Sequence, residues 1–580
     1  MAPTWRNKVQ YAIKHAKRSF YDAKIKKLKD TDANRWWKEV KNLSGLTDTK
    51  GQWYQKFIDE DTIYTTDELC EKINEFFVGL TSEFTPLVTE DVSNIAVQNI
   101  PDELFVTNWE AYNSLRSLKI RKAPGPDGIP NVVLKQFAFE LAPVIAEIYN
   151  ASLREGYLPP ILKCAAVTPI PKKNPPNNIE NDIRPISLTC QIAKVMEGFT
   201  LNRILPTILS QLDNKQFAVA GKSTEQAIVY ILHLALEALD RGGCSLRLFF
   251  ADFCKGFDLI DHKILLTKLS KFNIHNSLLR WIGSFLLNRT QFVRIGNSTS
   301  AVKNINGGIP QGTKLASILF AVMVNDLIPT WGPRIKFVDD LTAMEIIPRN
   351  SPSLMEFVVA DIQNFARDNN MKLNPGKCKD MIVDFLQYNA NEWRPITTGG
   401  TQIETVSGFK LLGVYLSNDL TWSLHCDYII KKANKRLYAL RNLKKAGVSS
   451  ADIVTVYCVM IRTVLEYASA VFANLPQVLS NDLERVERRA LTIIYPTSSY
   501  TDALLLAGIQ PLSVRRDIAC RKFVASIKLD NPLYPFIHKH SRISNHTYFL
   551  RSERLDGTTI ARTDRFQNFV TVKFSKTYIN

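Results

Sequence analysis

Asp252, Asp339 and Asp340 are the residues whose type and spacing best suit them to chemistry. Asp252 ends the apolar run Leu246–Ala251, and Asp339 and Asp340 stand side by side after Ile335–Val338. Short apolar runs bounded by polar residues predict buried strands. A carboxylate at the end of a buried strand is costly unless it is paired or holds a metal. Two such strands side by side would gather three carboxylates at one point. That arrangement suits two-metal phosphoryl transfer, with ions about 3.5–4 Å apart. Taken singly, Asp252 and Asp339 read equally well as strand-end turn residues. Adjacent strand residues point to opposite faces, so Asp339 and Asp340 converge only across a tight hairpin.

A third signal lies between the two strands. Residues 307–320 read GGIPQGTKLASILF. Gly307, Gly308, Pro310 and Gly312 make a turn poor in side chains, where backbone can approach a ligand closely. Leu315, Ile318, Leu319, Val322 and Met323 then recur at helical spacing. A turn of this kind opening a helix suits contact with a nucleotide or a template base, although a Gly-Pro turn alone is ordinary loop punctuation. Asp258 and Asp261 lie past Gly256, where the chain turns toward a helix expected to begin near Leu259. Capping or turn roles fit them better than metal ligation.

The elements around these segments divide by charge. Residues 1–50 hold 13 Lys/Arg against 5 Asp/Glu, and residues 51–110 hold 2 against 13. In the basic stretch Val9, Ile13, Ala16, Phe20 and Ala23 fall near one helical face. Lys8, Lys14, Lys17, Arg18, Lys24 and Lys26 surround it, and Trp36 and Trp37 follow. Basic helices with aromatics suit nucleic-acid backbones, and packing as an amphipathic helix on the core is the alternative. The acidic stretch predicts a helix over Asp67–Val78 with Thr66 as its cap. Residues 427–447 carry an apolar stripe of Tyr428, Ile429, Ala433, Leu437, Leu440 and Leu443, ended by Gly447. Lys431, Lys432, Lys435, Arg436, Arg441, Lys444 and Lys445 supply its charge with no acid between them. A second apolar helix is expected over Ala451–Leu475, with the pattern continuing through 483–495.

The order of segments resembles the reverse transcriptases of non-LTR (LINE-type, Jockey-like) retrotransposons. RKAPGPDGIP (121–130) is similar to their lead-in segment. AAVTPIPKKN (165–174) and NDIRPISLTC (181–190) resemble the two fingers motifs, and ADFCKGFDLIDH (251–262) the first palm motif. GIPQGTKLASILF resembles the second palm motif and FVDD (337–340) the Asp-Asp hairpin. MKLNPGKCKDMIV (371–383) and GFKLLGVYL (408–416) resemble the two motifs that follow. Three departures stand out: Phe337-Val338 where Tyr-Ala is commoner, Ala316-Ser317 where Ser-Pro is commoner, and QFAVAGKST (216–224) without the usual Gly-Phe-Arg. None removes a metal ligand.

The resemblance implies an α+β right-hand polymerase, with an antiparallel palm sheet, helical fingers and thumb, and helical extensions at both ends. Residues 1–110 would form the N-terminal extension, 111–416 fingers and palm, and 417–580 the helical thumb and C-terminal region. The implied activity is RNA-templated DNA synthesis with two Mg²⁺ ions, Mn²⁺ being the alternative, held by Asp252 and Asp339 with Asp340 assisting. The implied partners are an RNA template, a DNA primer and target, and deoxynucleoside triphosphates. Arg184 offers a guanidinium fork to phosphate oxygens, and Lys172 or Lys173 adds a second charge. Phe257 falls where the family places a ring beneath the sugar, although a Phe ending an apolar stretch is more often core. Gln311 and Gly312 would shape the template–nucleotide pocket. Lys377 could donate a proton to pyrophosphate, with Lys379 an equally basic neighbour. Lys431, Lys432, Lys435 and Arg436 would follow the duplex backbone from the thumb. An inactive, domesticated nucleic-acid-binding copy and an RNA-dependent RNA polymerase are the other readings.

Composition agrees with an intracellular nucleic-acid enzyme of cytoplasm and nucleus. The net charge is +17 and the pI about 9.3, as suits a protein that tracks phosphates. Nine cysteines without a C-x-x-C pair argue against a disulfide framework. No run is long and apolar enough to span a membrane, and the first residues have no signal-peptide core. His538, His540 and His546 lack a cysteine at zinc-ligand spacing. Neither stretch flanking 111–416 reads as an endonuclease, so polymerase plus flanks, as in a truncated reading frame, is expected.

Overall fold

The computed structural model describes residues 2–45, 53–60, 65–173, 175–538 and 561–574. Nine strands carry the architecture that matters here. β1 (Cys164–Pro171), β2 (Ile183–Thr189), β4 (Arg289–Ile295), β5 (Ser298–Thr299) and β6 (Lys303–Ile305) form one sheet. β3 (Cys244–Ala251), β7 (Arg334–Phe337), β8 (Asp340–Pro348) and β9 (Lys379–Val383) form another, with a short edge strand, Glu404–Thr405.

β3 is the middle of the second sheet and is buried throughout. It pairs antiparallel with β8, from Cys244↔Pro348 to Ala251↔Leu341, and with β9, from Leu246↔Val383 to Phe250↔Lys379. Its side chains alternate between two cores, as strand geometry requires. Phe249 and Ala251 join one core with helices Ala138–Glu155, Asn276–Leu286 and Ala316–Met323. Leu246, Leu248 and Phe250 join the other with helix Thr224–Arg241 and the segment around Phe566–Phe574. Both faces are covered, which is why β3 reads as a continuous apolar run. The sheet departs from the expected all-antiparallel form at one edge, where Glu404–Thr405 lies parallel to β9. The long 384–403 connection makes that crossover possible.

The layer expected to be helical is mixed. Segments 165–171 and 183–189 pair antiparallel as β1 and β2, and β1 lies parallel to β4. Helix Thr66–Gly79 packs on this sheet. Asn74 donates to the Ala301 carbonyl at 2.9 Å and accepts from Gln291 at 3.1 Å. Its cap is Thr65 rather than Thr66. The Thr65 hydroxyl accepts from the Glu68 N–H while the Glu68 carboxylate accepts from the Thr65 N–H, a reciprocal capping box.

Helix Ser423–Ala446 ends at Gly447, whose φ of +85° is the left-handed cap that glycine adopts without strain. Its stripe of Ile429, Ala433, Leu437, Leu440 and Leu443 is buried against Trp36 and Val40 of helix Ala33–Ser44. The N-terminal helix Ala2–Thr31 is exposed along its first two-thirds and joins this packing near its end, where Lys29 reaches Asp452 at 2.6 Å. The helix expected over Ala451–Leu475 is broken: Ser450–Val456 passes through a wide π-type turn at Tyr457–Arg462 and ends at Glu466. Tertiary contacts take the chain out of the helix there. The Tyr467 hydroxyl bonds the Leu412 carbonyl at 2.9 Å, and the Ala470 N–H bonds Glu225 at 2.8 Å. The later pattern is helix Gln477–Ile494. Among the described residues no helix is long and apolar enough to cross a membrane. His540 and His546 lie outside the described residues.

Candidate active site

The carboxylates meet where β3 ends beside the β7–β8 hairpin. Phe337 pairs with Asp340, leaving Val338 and Asp339 as a two-residue turn. Val338 has φ +57°, uncommon for a β-branched residue and the kind of local strain that collects at functional sites. This is the tight turn that lets neighbouring aspartates converge. Asp252 follows β3 directly. Its carbonyl accepts from Asn374 at 2.8 Å, and its N–H points to the Cys378 sulfur at 3.4 Å. Those contacts hold the 374–378 turn against it and set Lys377 Nζ 3.4 Å from Asp252 Oδ2.

Asp339 and Asp340 sense the neighbouring carboxylates. Burial and then the charges of Asp339 and Asp252 push Asp340 up to about 6, although its outer edge is open to solvent. Burial and Asp252 raise Asp339, while Arg184 and Lys377 pull it down. Asp252 Oδ2 is buried and makes no hydrogen bond, and it meets the Lys377 ammonium as a long ion pair. A cluster of like charges so sparsely balanced suits a cation. Among the described residues no three His, Cys, Asp or Glu side chains are already drawn in to metal-ligand spacing.

Cations face the acids from β1 and β2. Ile170 pairs with Arg184 across that hairpin, so Lys172 and Arg184 lie at the same end. Burial, Lys377 and Arg184 together lower the Lys172 ammonium, which places three cations within range of one another. Lys173 instead pairs with Asp182 at 3.3 Å. Lys379 is engaged by Glu404 at 2.8 Å, so Lys377 is the lysine that faces the carboxylates. A cavity of about 350 Å³ is lined by Lys172, Lys255, Lys372 and Lys377 together with Glu83 and Glu180. Lys255 is held at φ +46° with its ammonium 4.0 Å above the Phe76 ring. Lys255 and Lys372 were not singled out by sequence, although Lys255 lies inside ADFCKGFD. Helix Thr66–Gly79 reaches this cavity through Gly79, and nothing local in sequence signals that.

The glycine turn is seated between the two sheets. The Ile309 N–H bonds the Phe257 carbonyl at 2.8 Å and the Gly308 N–H the Ile260 carbonyl at 2.7 Å. On the other side the Gln311 carbonyl accepts from Ser187 of β2 at 2.8 Å. Gly312 has φ +127°, and a Cβ there would lie 2.7 Å from the Ser187 carbonyl oxygen. Phe257 is half-buried and stacks on Phe320 at 4.7 Å. Its neighbour Gly256 is so close to the hairpin that a Cβ would lie 3.3 Å from Asp339 Cβ. Asp261 caps helix His262–Leu269, accepting from Lys263 and Ile264 at 2.8 and 3.0 Å. That helix therefore starts at His262, later than Leu259. Asp258 does more than turn the chain: it accepts from Gln311 Nε2 at 2.9 Å, and burial pushes its carboxyl up to about 6.

Lys431, Lys432 and Lys435 are exposed on helix Ser423–Ala446. Arg436 is not part of that row. It is half-buried and donates to the Met460 carbonyl.

Residues 170–416 match the family model described as reverse transcriptase (RNA-dependent DNA polymerase). The RNA-directed DNA polymerase from mobile element jockey of Drosophila melanogaster is 26% identical over 382 residues, covering 63% of this chain and 39% of that protein. Its Drosophila funebris counterpart is 27% identical, covering 67% and 43%. The probable RNA-directed DNA polymerase from transposon BS of Drosophila melanogaster is 25% identical, covering 66% and 44%. The chain thus spans about two-fifths of the length of these relatives. Telomerase from Candida albicans, solved with a fragment of telomeric RNA, aligns with a TM-score of 0.34 at 10% identity, over 81% of this chain and 94% of that one. That likeness is too slight to argue from. The motifs, the family match and the relatives agree: residues 170–416 match a reverse transcriptase domain, and the chain is similar to the RNA-directed DNA polymerases of jockey-type mobile elements.

Proposed function

We propose that the chain is an RNA-directed DNA polymerase of a non-LTR retrotransposon, joining deoxynucleotides to a DNA primer along an RNA template. In this reading residues 111–416 are fingers and palm and residues 417–580 are thumb and C-terminal region. The observation that carries it is the meeting of Asp252, Asp339 and Asp340 at the ends of antiparallel strands, opposite Lys172, Arg184 and Lys377. The three carboxylates would hold two Mg²⁺ ions, and Asp252 Oδ2, buried without a hydrogen bond, fits such a ligand. Bound there, the ions would lower the cost of ionising the primer 3′-hydroxyl and neutralise the phosphates.

The protein's own groups divide the remaining work. Arg184 and Lys172 bind the triphosphate oxygens, the guanidinium by a fork and the ammonium as a point charge. Lys377 Nζ carries a proton to the leaving pyrophosphate. Phe257 packs beneath the sugar and leaves no room for a 2′-hydroxyl. Gln311 and Gly312 shape the pocket where nucleotide and template meet. Lys431, Lys432 and Lys435 hold duplex phosphates without reading sequence. Primer extension on an RNA template tests the reading. Asp252→Asn and Asp339→Asn should each abolish divalent-dependent extension while template–primer binding persists, and Asp340→Asn should be milder. Near-normal extension by Asp252→Asn would remove the metal-ligand assignment.

A further inference from the structure

The 307–312 turn is fixed by backbone contacts on both flanks, but one of its groups retains a choice. The Gln311 side-chain amide can present either its oxygen or its NH₂ to its surroundings. The cavity beside it is lined by Ser187, Gln291, Pro310 and Asp258, with Phe77 and Leu80 as its apolar wall. Asp258 sits on the opposite side from β2, in a turn closed by its own N–H on the Lys255 carbonyl at 2.8 Å. A carboxylate only accepts hydrogen bonds. The 2.9 Å contact from Gln311 Nε2 therefore selects one of the two amide orientations.

We propose that Asp258 is a positioning residue, whose carboxylate fixes which end of the Gln311 amide is presented to a complementary nucleotide at the site and thereby how well that nucleotide binds. This role rests on the polymerase reading above. Backbone geometry supports it independently of charge. A Cβ on Gly308 would meet the Asp258 carbonyl at 2.9 Å and one on Gly312 the Ser187 carbonyl at 2.7 Å, so the turn cannot slide to compensate for a misplaced side chain. The charged groups facing Asp258 are Lys255 of its own turn and Lys172 at the end of β1, and both favour ionisation against the burial that opposes it. When the carboxyl is protonated it can donate to the amide oxygen, and both orientations become available.

The test is steady-state primer extension on an RNA template by the whole chain and by Asp258→Asn, whose side chain can donate or accept. The KM for the complementary deoxynucleotide should rise about tenfold, the worth of one charged hydrogen bond, with kcat within about twofold. Discrimination against a mismatched nucleotide should fall. Removing a buried charge should leave thermal stability at pH 7.5 unchanged or higher. KM should rise more steeply in the unmutated chain than in Asp258→Asn as pH falls through about 6, the dependence left in the variant belonging to Asp340. The double variant Asp258→Asn/Gln311→Glu rebuilds the hydrogen bond with its donor reversed, and should keep stability without restoring KM. An unaltered KM and mismatch ratio in Asp258→Asn would overturn the role, as would a joint loss of kcat and stability, which marks a structural residue. No extension by the unmutated chain would remove the polymerase reading and this role with it. Extension with an unaltered KM in Asp258→Asn removes this role alone.

Discussion

Gly312→Ala isolates the fit between the glycine turn and β2. The added methyl would lie 2.7 Å from the Ser187 carbonyl oxygen, which belongs to a paired strand and cannot step aside, and φ +127° is itself strained for any L side chain. Backbone strain of this kind costs about 1–3 kcal/mol. Displacing the turn also loses the bond between the Ser187 N–H and the Gln311 carbonyl, about 0.5–1.5 kcal/mol. Together the expected cost is about 2–4 kcal/mol. If the turn moves to relieve it, the whole cost falls on the site. kcat/KM for nucleotide addition should then drop about 30- to 1000-fold, at 1.4 kcal/mol per tenfold. If the turn holds, the same cost appears as a lower urea midpoint. Primer extension and urea unfolding on one preparation separate the two. Gly296→Ala is the control, since Gly296 has φ +62° but nothing within 4 Å of its would-be Cβ. It should cost about 1 kcal/mol in stability and leave kcat/KM unchanged. A Gly312→Ala protein within threefold of the parent in kcat/KM and with an unshifted midpoint would refute the reasoning.

Three further outcomes are expected. Replacing Lys431, Lys432 and Lys435 by Ala should reduce the slope of log affinity against log salt by about 2–3, at about 0.7–0.9 per phosphate contact. Arg436→Ala should leave the slope unchanged and lower stability instead, because its guanidinium serves the Met460 carbonyl. Phe257→Val should raise the kcat/KM ratio of ribonucleotide to deoxyribonucleotide at least tenfold. An unchanged ratio would make Phe257 a packing partner of Phe320 alone, and a parent that already prefers ribonucleotides would overturn the DNA-synthesis reading. Glu487 accepts from the Tyr457 and Tyr500 hydroxyls, and burial pushes its carboxyl up to about 7. A raised carboxyl stabilises most below its unfolded value, and the contribution is lost as pH rises through the folded one. The melting temperature should therefore fall between pH 4.5 and 7 in the parent, and this segment of the slope should vanish in Glu487→Gln.

What sequence revealed and what it hid follow the range of the contacts. β3 and β7 were legible from the short apolar runs Leu246–Ala251 and Ile335–Val338, and the aspartates mark where those runs stop; β8 was not read, because Thr342 and Glu345 interrupt its apolar pattern. The glycine turn was legible because few residues tolerate its geometry. Asp261 showed as a cap from its place before a helix, although the start at His262 depended on where that cap closes. The sheet built from β1, β2, β4, β5 and β6 was illegible. Its parallel β1–β4 pairing joins Cys164–Val167 to Thr290–Val293, and no local pattern encodes a partner so far along the chain. The same holds for Asp258, whose bond to Gln311 spans 53 residues. Arg436 shares the charge of its lysine neighbours, and only the Met460 carbonyl facing it determines that it turns inward. The expected long helix after residue 450 failed for a related reason: its composition is helical throughout, and the Leu412 carbonyl and the Glu225 carboxylate draw Tyr467 and Ala470 away.

The packing of Trp36 and Val40 against Ile429, Ala433 and Leu437 has a consequence in time. The Asn442 amide donates to the Ser44 carbonyl across 398 residues of chain, and Lys29 meets Asp452 across 423. At a synthesis rate of about 5–20 residues per second, the N-terminal helices wait roughly 20–80 s on the ribosome before their partner helix exists. During that interval Trp36 and Val40 have nothing to bury against, and Trp5, Tyr11 and Phe20 stay exposed even in the finished fold. The first segment made is thus among the last to be secured, so a chain stalled before residue 446 should present its N-terminal helices to proteases and chaperones while β3 and its neighbours are already complete.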